Sequence, residues 1–144
     1  MNLRVEKIAT ESEKKHAFSI REKVFVVEQK VDAKDEYDEF EEISTHFLAI
    51  LDDIPVGTAR WRFTDKGIKL ERFAVLQEAR GKGVGQALVR EVLNDINSVS
   101  ASKGKMKYLH AQLTAVPLYS KFGFEKVGEI FEECNIQHYK MSLA

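Results

Sequence analysis

The chain has 144 residues, with 22 Lys and Arg against 23 Asp and Glu, a formal net charge of -1 and 44% hydrophobic residues. That is one domain's worth of chain with an ordinary core, expected as a single domain over residues 1–144, and its charge balance excludes both a basic nucleic-acid footprint and a disordered tail. Cys134 is the only cysteine, so no intrachain disulfide forms, and without an apolar run for a signal segment or membrane span the protein is expected in the cytoplasm.

Over residues 2–9 the apolar Leu3, Val5 and Ile8 alternate with polar residues, which predicts a first strand. Thr10-Glu11-Ser12-Glu13 is a capping box, so a helix starts there and runs to about Gln29. Its spacing puts Ala17, Ile20, Val24 and Val27 on the core face and turns Lys14, Lys15, Arg21 and Glu22 elsewhere. Residues 30–44 have no period, which suits a loop or a short helical turn. The acids between Asp32 and Glu42 offer either a solvated face or a surface for a cationic substrate. Residues 45–51 and 58–63 read as a hairpin around Asp52-Asp53, and Thr64-Asp65-Lys66-Gly67 turns the chain into a third antiparallel strand ending near Val75.

The next stretch carries most of the chemistry. A basic turn with Gly81, Gly83 and Gly85 at alternate positions runs straight into a segment where Val84, Leu88, Val92, Ile96 and Val99 share a helical face, to about Ser100. Glycines let backbone approach a ligand, and the first helical turn leaves N–H groups without partners, so the turn is an anion cradle that Arg80 and Lys82 can supply with counter-charge. The dinucleotide spacing G-x-G-x-x-G is not met, and Gln86-Ala87 stands where an ATP-binding loop needs Lys-Ser/Thr. Residues 106–113 read as a strand parallel to the one ending at Val75, because a long helix separates them. A short helix over 115–122 with Pro117 in its first turn ends at Gly123, and strands 124–131 and 136–143 close the chain as a hairpin around Glu133-Cys134-Asn135.

Arg80-x-x-Gly83-x-Gly85 after a strand resembles the acyl-CoA pyrophosphate loop of the GNAT acetyltransferase superfamily. The segment Ala115-Val116-Pro117-Leu118-Tyr119-Ser120-Lys121-Phe122-Gly123-Phe124 is similar to that family's A-x-x-x-Y-x-x-x-G-F motif, although Gln112 or Thr114 stands where many members carry an Asn. Arg21-x-x-Val24-Phe25-Val26-Val27-Glu28-Gln29, then Asp35-Glu36-Tyr37-Asp38-Glu39-Phe40 and Thr45-His46, resembles the ElaA-like branch, and more faintly the acyl-homoserine-lactone synthases. The resemblance implies an α/β (α+β) fold: a mixed, mostly antiparallel sheet of about seven strands, helices on both faces and a splayed central parallel pair.

It also implies acetyl-CoA as cosubstrate and direct transfer to an amine, with a non-catalytic CoA-binding sensor or a lactone-synthase-like acyltransferase as alternatives. On that reading the backbone of Phe73, Ala74 and Val75 pairs with the pantetheine arm, and Arg80, Gly81, Lys82, Gly83, Val84 and Gly85 hold the pyrophosphate. Tyr119 is the candidate acid that protonates the leaving thiolate and also borders the cofactor. Glu71 is the candidate base, placed by strand alternation on the face of Phe73 and Val75. His110 and Gln112 share a face and are expected to line the acceptor pocket, shaped further by Arg21, Glu28 and Tyr37. No metal ligand spacing exists among His16, His46, His110 and His138, and nothing near Cys134 suggests an activated thiol. Edge strands at the C-terminus offer a surface for a homodimer.

Overall fold

A computed structural model describes all 144 residues, Met1–Ala144. Seven strands form one sheet in the order β1-β2-β3-β4-β5-β7-β6. They are β1 (Leu3–Lys7), β2 (Thr45–Leu51), β3 (Ile54–Thr64), β4 (Gly67–Val75), β5 (Lys107–Gln112), β6 (Glu125–Glu133) and β7 (Ile136–Leu143). Every neighbouring pair is antiparallel except β4 with β5. Four α-helices accompany them: α1 (Glu11–Arg21), α2 (Ala33–Glu36), α3 (Val84–Ser98) and α4 (Val116–Ser120). This is the expected architecture.

Helices lie on both faces. Ala17, Ile20 and Val24 pack on Leu48, Ile50 and Ala74, while Leu88, Val92 and Ile96 of α3 pack with Phe47, Ala49 and Leu70 on the other side. Neighbouring residues of β2 alternate between these two clusters, which is the strand period at work. The capping box forms as expected, with Thr10 accepting from the Glu13 N–H and Glu13 accepting from the Thr10 N–H. Asp52 and Asp53, at φ 49° and 68°, make the left-handed turn that a two-residue hairpin requires.

Three features depart from the expectation. The α-helix ends at Arg21 and continues as a π-helix over Glu22–Glu28, where the Gln29 N–H reaches the Val24 carbonyl at 3.0 Å. The wider turn shifts the helical phase, so Val27 is 58% exposed instead of facing the core. Arg21, expected to face away from the core, is 1% exposed and bonds to Glu36 and Glu41. At the C-terminal end only β6 is an edge, since β7 lies between β5 and β6. Gly128, at φ 76°, interrupts the β6 pairing between Val127 and Phe131, which blunts that edge.

Two irregularities in β4 position the site. Thr58 pairs with Ala74 and Arg60 with Glu71, so β4 carries one residue more than β3 between those pairs. The bulge sits at Arg72, whose φ of 60° is unusual for a side chain of that size. The Arg72 guanidinium secures it, with Nε 3.0 Å from Glu36 Oε1 and Nη2 3.2 Å from Asp38 Oδ2. The second irregularity is the shortness of the parallel ladder. Only Ile68 with Lys107 and Lys69 with Tyr108 are in register, after which β4 and β5 diverge. Gly67, at φ 139°, starts that pair, and a Cβ there would strike the Met106 carbonyl.

Candidate active site

Divergence of β4 and β5 opens a cavity of about 600 Å³. Its wall includes Leu70, Phe73, Leu109 and Tyr119, which belong to the α3 face, together with Lys69, Glu71, His110 and Gln112. The latter four lie on the α1 face: Glu71 pairs with Arg60 and Ala74 with Thr58, and His110 and Gln112 follow Tyr108, the partner of Lys69, by two and four residues. A cavity lined from both faces passes through the sheet. The gap between β4 and β5 is its passage.

The bulge corrects one expectation here. Because β4 gains a residue at Arg72, Glu71 shares a face with Ala74, and Phe73 and Val75 point to the opposite side with the α3 core. Glu71 still borders the cavity, from the other wall. Its carboxylate accepts from Arg60 Nε at 2.9 Å and Arg62 Nε at 2.7 Å, with Lys69 Nζ 3.4 Å away. Burial alone raises its pKa, yet Arg60, Arg62, Lys69 and Arg72 more than offset that and hold it below the usual carboxylate range. It is an ionised acceptor with little appetite for a proton.

Tyr119 is 6% exposed, its ring edge-on to Phe73 at 5.6 Å and to Phe124 at 6.2 Å between centroids. No buried side-chain nitrogen or oxygen lacks a hydrogen-bond partner, and the Tyr119 hydroxyl bonds to no protein group, so the hydroxyl is the part that reaches the cavity. Burial pushes its pKa up, which keeps it protonated.

At the loop end, Gly81 and Gly83 have φ of 77° and 83°, and a Cβ on either would meet nothing within 4 Å. The loop therefore turns an open backbone outward. Gly83 caps α3 in the left-handed conformation without a side-chain cap, and the first helical bond runs from the Ala87 N–H to the Gly83 carbonyl at 3.0 Å. The N–H groups of Val84, Gly85 and Gln86 stand ahead of that ladder. Gly85 is small for a different reason: a Cβ there would sit 3.3 Å from Leu118 of α4. This cradle fits an anionic phosphate group.

Arg80 is engaged within the protein. Both its Nη atoms bond to Glu28 at 2.7 Å, and its Nε donates to the Val75 carbonyl at 3.1 Å. The pair raises the Arg80 pKa and lowers that of Glu28. A phosphate on Arg80 has to displace Glu28, so Glu28→Gln is expected to tighten coenzyme A binding about two- to fivefold, the worth of an exposed ion pair. Titration calorimetry reads this; weaker binding in the variant would show that Glu28 orients Arg80 instead of competing for it.

Other expected residues divide. His110 and Gln112 line the cavity, His110 Nδ1 3.1 Å from Glu133 Oε2 and Gln112 donating to Gln29 at 2.8 Å. Arg21 is buried in an ion network, Glu28 sits at the loop, and Tyr37 donates to the Phe18 carbonyl at 3.3 Å; none of the three lines the cavity. Part of the acidic run is spent internally, while Asp35 lines the cavity without an ion partner. Glu36, Asp38 and Glu41 face Arg21, Arg60 and Arg72, so these carboxylates are not free to attract a cationic substrate. Phe25, Phe40 and Arg62 also line the cavity and were not anticipated, because only tertiary packing brings their elements together.

A seven-stranded mixed sheet with a splayed parallel pair and a glycine cradle at the open end of the gap defines an acyl-CoA N-acyltransferase fold. Residues 8–144 match the acetyltransferase (GNAT) domain family, and the chain belongs to that family of acyltransferases. It is 39% identical over 133 residues to the "Uncharacterized N-acetyltransferase YjcF" of Bacillus subtilis, covering 91% of this chain and 92% of that one. Protein ElaA of Escherichia coli is 32% identical over 123 residues, 83% of this chain and 79% of ElaA, which sets the chain in the ElaA-like branch. The crystal structure of E. coli ElaA superposes with a TM-score of 0.80 at 27% identity over 99% of both chains. A Bacillus subtilis acetyltransferase solved in complex with CoA shares the fold, with a TM-score of 0.70 at 19% identity over 99% of this chain and 98% of that one.

Proposed function

We propose that the protein transfers the acetyl group of acetyl-CoA directly to the nitrogen of an amine. The observation that carries this reading is the gap between β4 and β5, which opens after Lys69 along the strand that runs on, past Val75, into the glycine loop and the unpaired amides at the start of α3. Acetyl-CoA supplies the activated acyl group. The amides of Gly83, Val84 and Gly85, with Arg80 and Lys82, hold its diphosphate, while the β4 backbone at Phe73, Ala74 and Val75 accepts the pantetheine arm as an added strand. A neighbour of the same fold was solved in complex with CoA, which supports coenzyme A as the ligand.

In the transfer the amine nitrogen attacks the thioester carbon, the C–S bond breaks, and the sulfur leaves as a thiolate. Tyr119 gives that thiolate a proton: burial keeps the phenol protonated and ready, and because a phenol at about 10 in water is a weaker acid than a thiol at about 8.5, the donation is uphill by itself and proceeds only coupled to loss of the amine's proton. The amine must lose a proton as it attacks. Water takes that proton, and the ionised Glu71 carboxylate on the cavity wall, held below the usual carboxylate range by four neighbouring cations, orients that water and does not keep the proton itself. No step calls on a metal ion. The same reading puts the reaction in a reducing cytoplasm, and a homodimer through β6 would have to form on either side of the break at Gly128.

Thiol release tests the proposal. Protein mixed with acetyl-CoA and a panel of primary amines is expected to liberate free CoA thiol with at least one acceptor. Coenzyme A binding with no thiol release across the panel would make the protein a CoA-binding sensor.

A further inference from the structure

One guanidinium on the cavity wall is arranged for a ligand group that acetyl transfer does not itself require. Arg62 on β3 pairs across the sheet with Lys69 on β4, and Lys69 is the last residue still in register with β5. Both side chains therefore stand on the α1 face at the closed end of the gap. The Arg62 Nε donates to Glu71 Oε2 at 2.7 Å, and the ring of Phe40 lies 3.8 Å from its guanidinium carbon. Those two contacts fix the plane of the fork.

Its outer end is free. Nη1 and Nη2 bond to no protein group, and because no buried side-chain polar atom lacks a partner, they open on the cavity that Arg62 lines. Lys69 is similar, its ammonium meeting only Glu71 Oε1, at 3.4 Å. Charge points the same way. Arg62 and Lys69 share the single carboxylate of Glu71, which Arg60 also reaches while bonding to Asp38 and Glu41, so neither Arg62 nor Lys69 has a carboxylate of its own. A planar fork with two unused donors and an ammonium beside it match an oxyanion.

Resting on the acetyltransferase reading, we propose that the acceptor carries an oxyanion held by Arg62 and Lys69, so that the substrate class is an amine bearing a carboxylate: an amino acid or a compound shaped like one. A phosphate would present the same chemistry to the fork. Arg62 then sets specificity by holding the acceptor at the closed end of the gap while its nitrogen points toward Phe73 and Tyr119. Polyamines, which have no group for the fork, are poor substrates.

The test is a matched panel: α-, β- and γ-amino acids, each beside its primary amide, with O-phosphoethanolamine as the phosphate arm. Binding to the CoA-loaded protein is read by calorimetry and turnover by thiol release. At least one carboxylate or phosphate compound is expected to bind and react about tenfold or more better than its neutral counterpart, as for a charge-assisted bidentate contact. Arg62→Gln is expected to abolish that preference through KM. Arg62→Lys, which keeps the charge and the Glu71 pair, loses most of it, and coenzyme A affinity is unchanged in both. Equal use of acids and amides, or equal loss on both in Arg62→Gln, overturns the proposal, as does failure of every anionic compound to bind. Thiol release from amides alone would overturn it while leaving the acetyltransferase reading intact, whereas no coenzyme A binding would sink that reading separately.

Discussion

Arg60→Met is expected to destabilise the fold by about 3–5 kcal/mol, the usual result of removing one partner from a buried charge cluster. For a domain of this size that lowers the melting temperature by about 12–20 °C. Arg60 is 0% exposed and bonds to Asp38 at 2.7 Å, Glu41 at 2.9 Å and Glu71 at 2.7 Å. Methionine fills much of the space but leaves three carboxylates facing an apolar group. Thermal unfolding followed by circular dichroism reads the effect, and a loss below about 1 kcal/mol would mean the network is solvated enough to do without its centre.

Acid should have a related effect. Burial raises the Asp38 pKa, but Arg60 and Arg72 more than reverse this and bring it from 3.8 to about 2. A carboxyl depressed on folding stabilises the native state above its unfolded pKa, and that contribution is lost as pH falls from about 4 through 2. Glu41 and Glu71 are lowered too and act in the same sense. Glu36 opposes them, since burial outweighs Arg72 and Arg21 and its pKa is raised. His46, lowered chiefly by burial, favours the neutral ring and removes stability as pH falls below 6.5. In Arg60→Met the carboxyls lose the cation that depresses them, so the fall in stability between pH 4 and 2 is expected to flatten.

Tyr119→Phe is expected to lower kcat about 100-fold or more, the contribution of a positioned general acid. Phenylalanine keeps the ring against Phe73 and Phe124, so the fold and coenzyme A affinity are expected to hold. A fall in kcat without a matching change in coenzyme A binding marks an interaction made in the transition state. Unchanged turnover would remove Tyr119 from the chemistry and leave its ring as packing.

The parts of this protein that local rules govern were legible in its sequence. Thr10 and Glu13 announced the start of α1, Asp52-Asp53 the hairpin, and Gly81 and Gly83 the loop before α3, because each conformation follows from the residues that adopt it. The bulge at Arg72 was not legible. An arginine has no preference for φ of 60°; partners 34 and 36 residues earlier, Asp38 and Glu36, hold it there. That one extra residue moved Glu71 to the other face. The π-helix likewise hid behind an ordinary helical pattern, with Val27 as its casualty. Gly128 could have signalled the break in β6, since an isolated glycine within a strand often marks a bulge. Glu36, Asp38 and Glu41 could not be assigned from sequence, because their partners Arg21, Arg60 and Arg72 lie on other elements.

The account stands on the amides before α3 and the opening beside β4 acting together as a seat for a CoA thioester. Titrating coenzyme A into the protein in a calorimeter tests it most directly. A single binding event, weakened by rising salt as charges are screened, is predicted. The absence of binding heat at every temperature tried, with the protein folded, would contradict it.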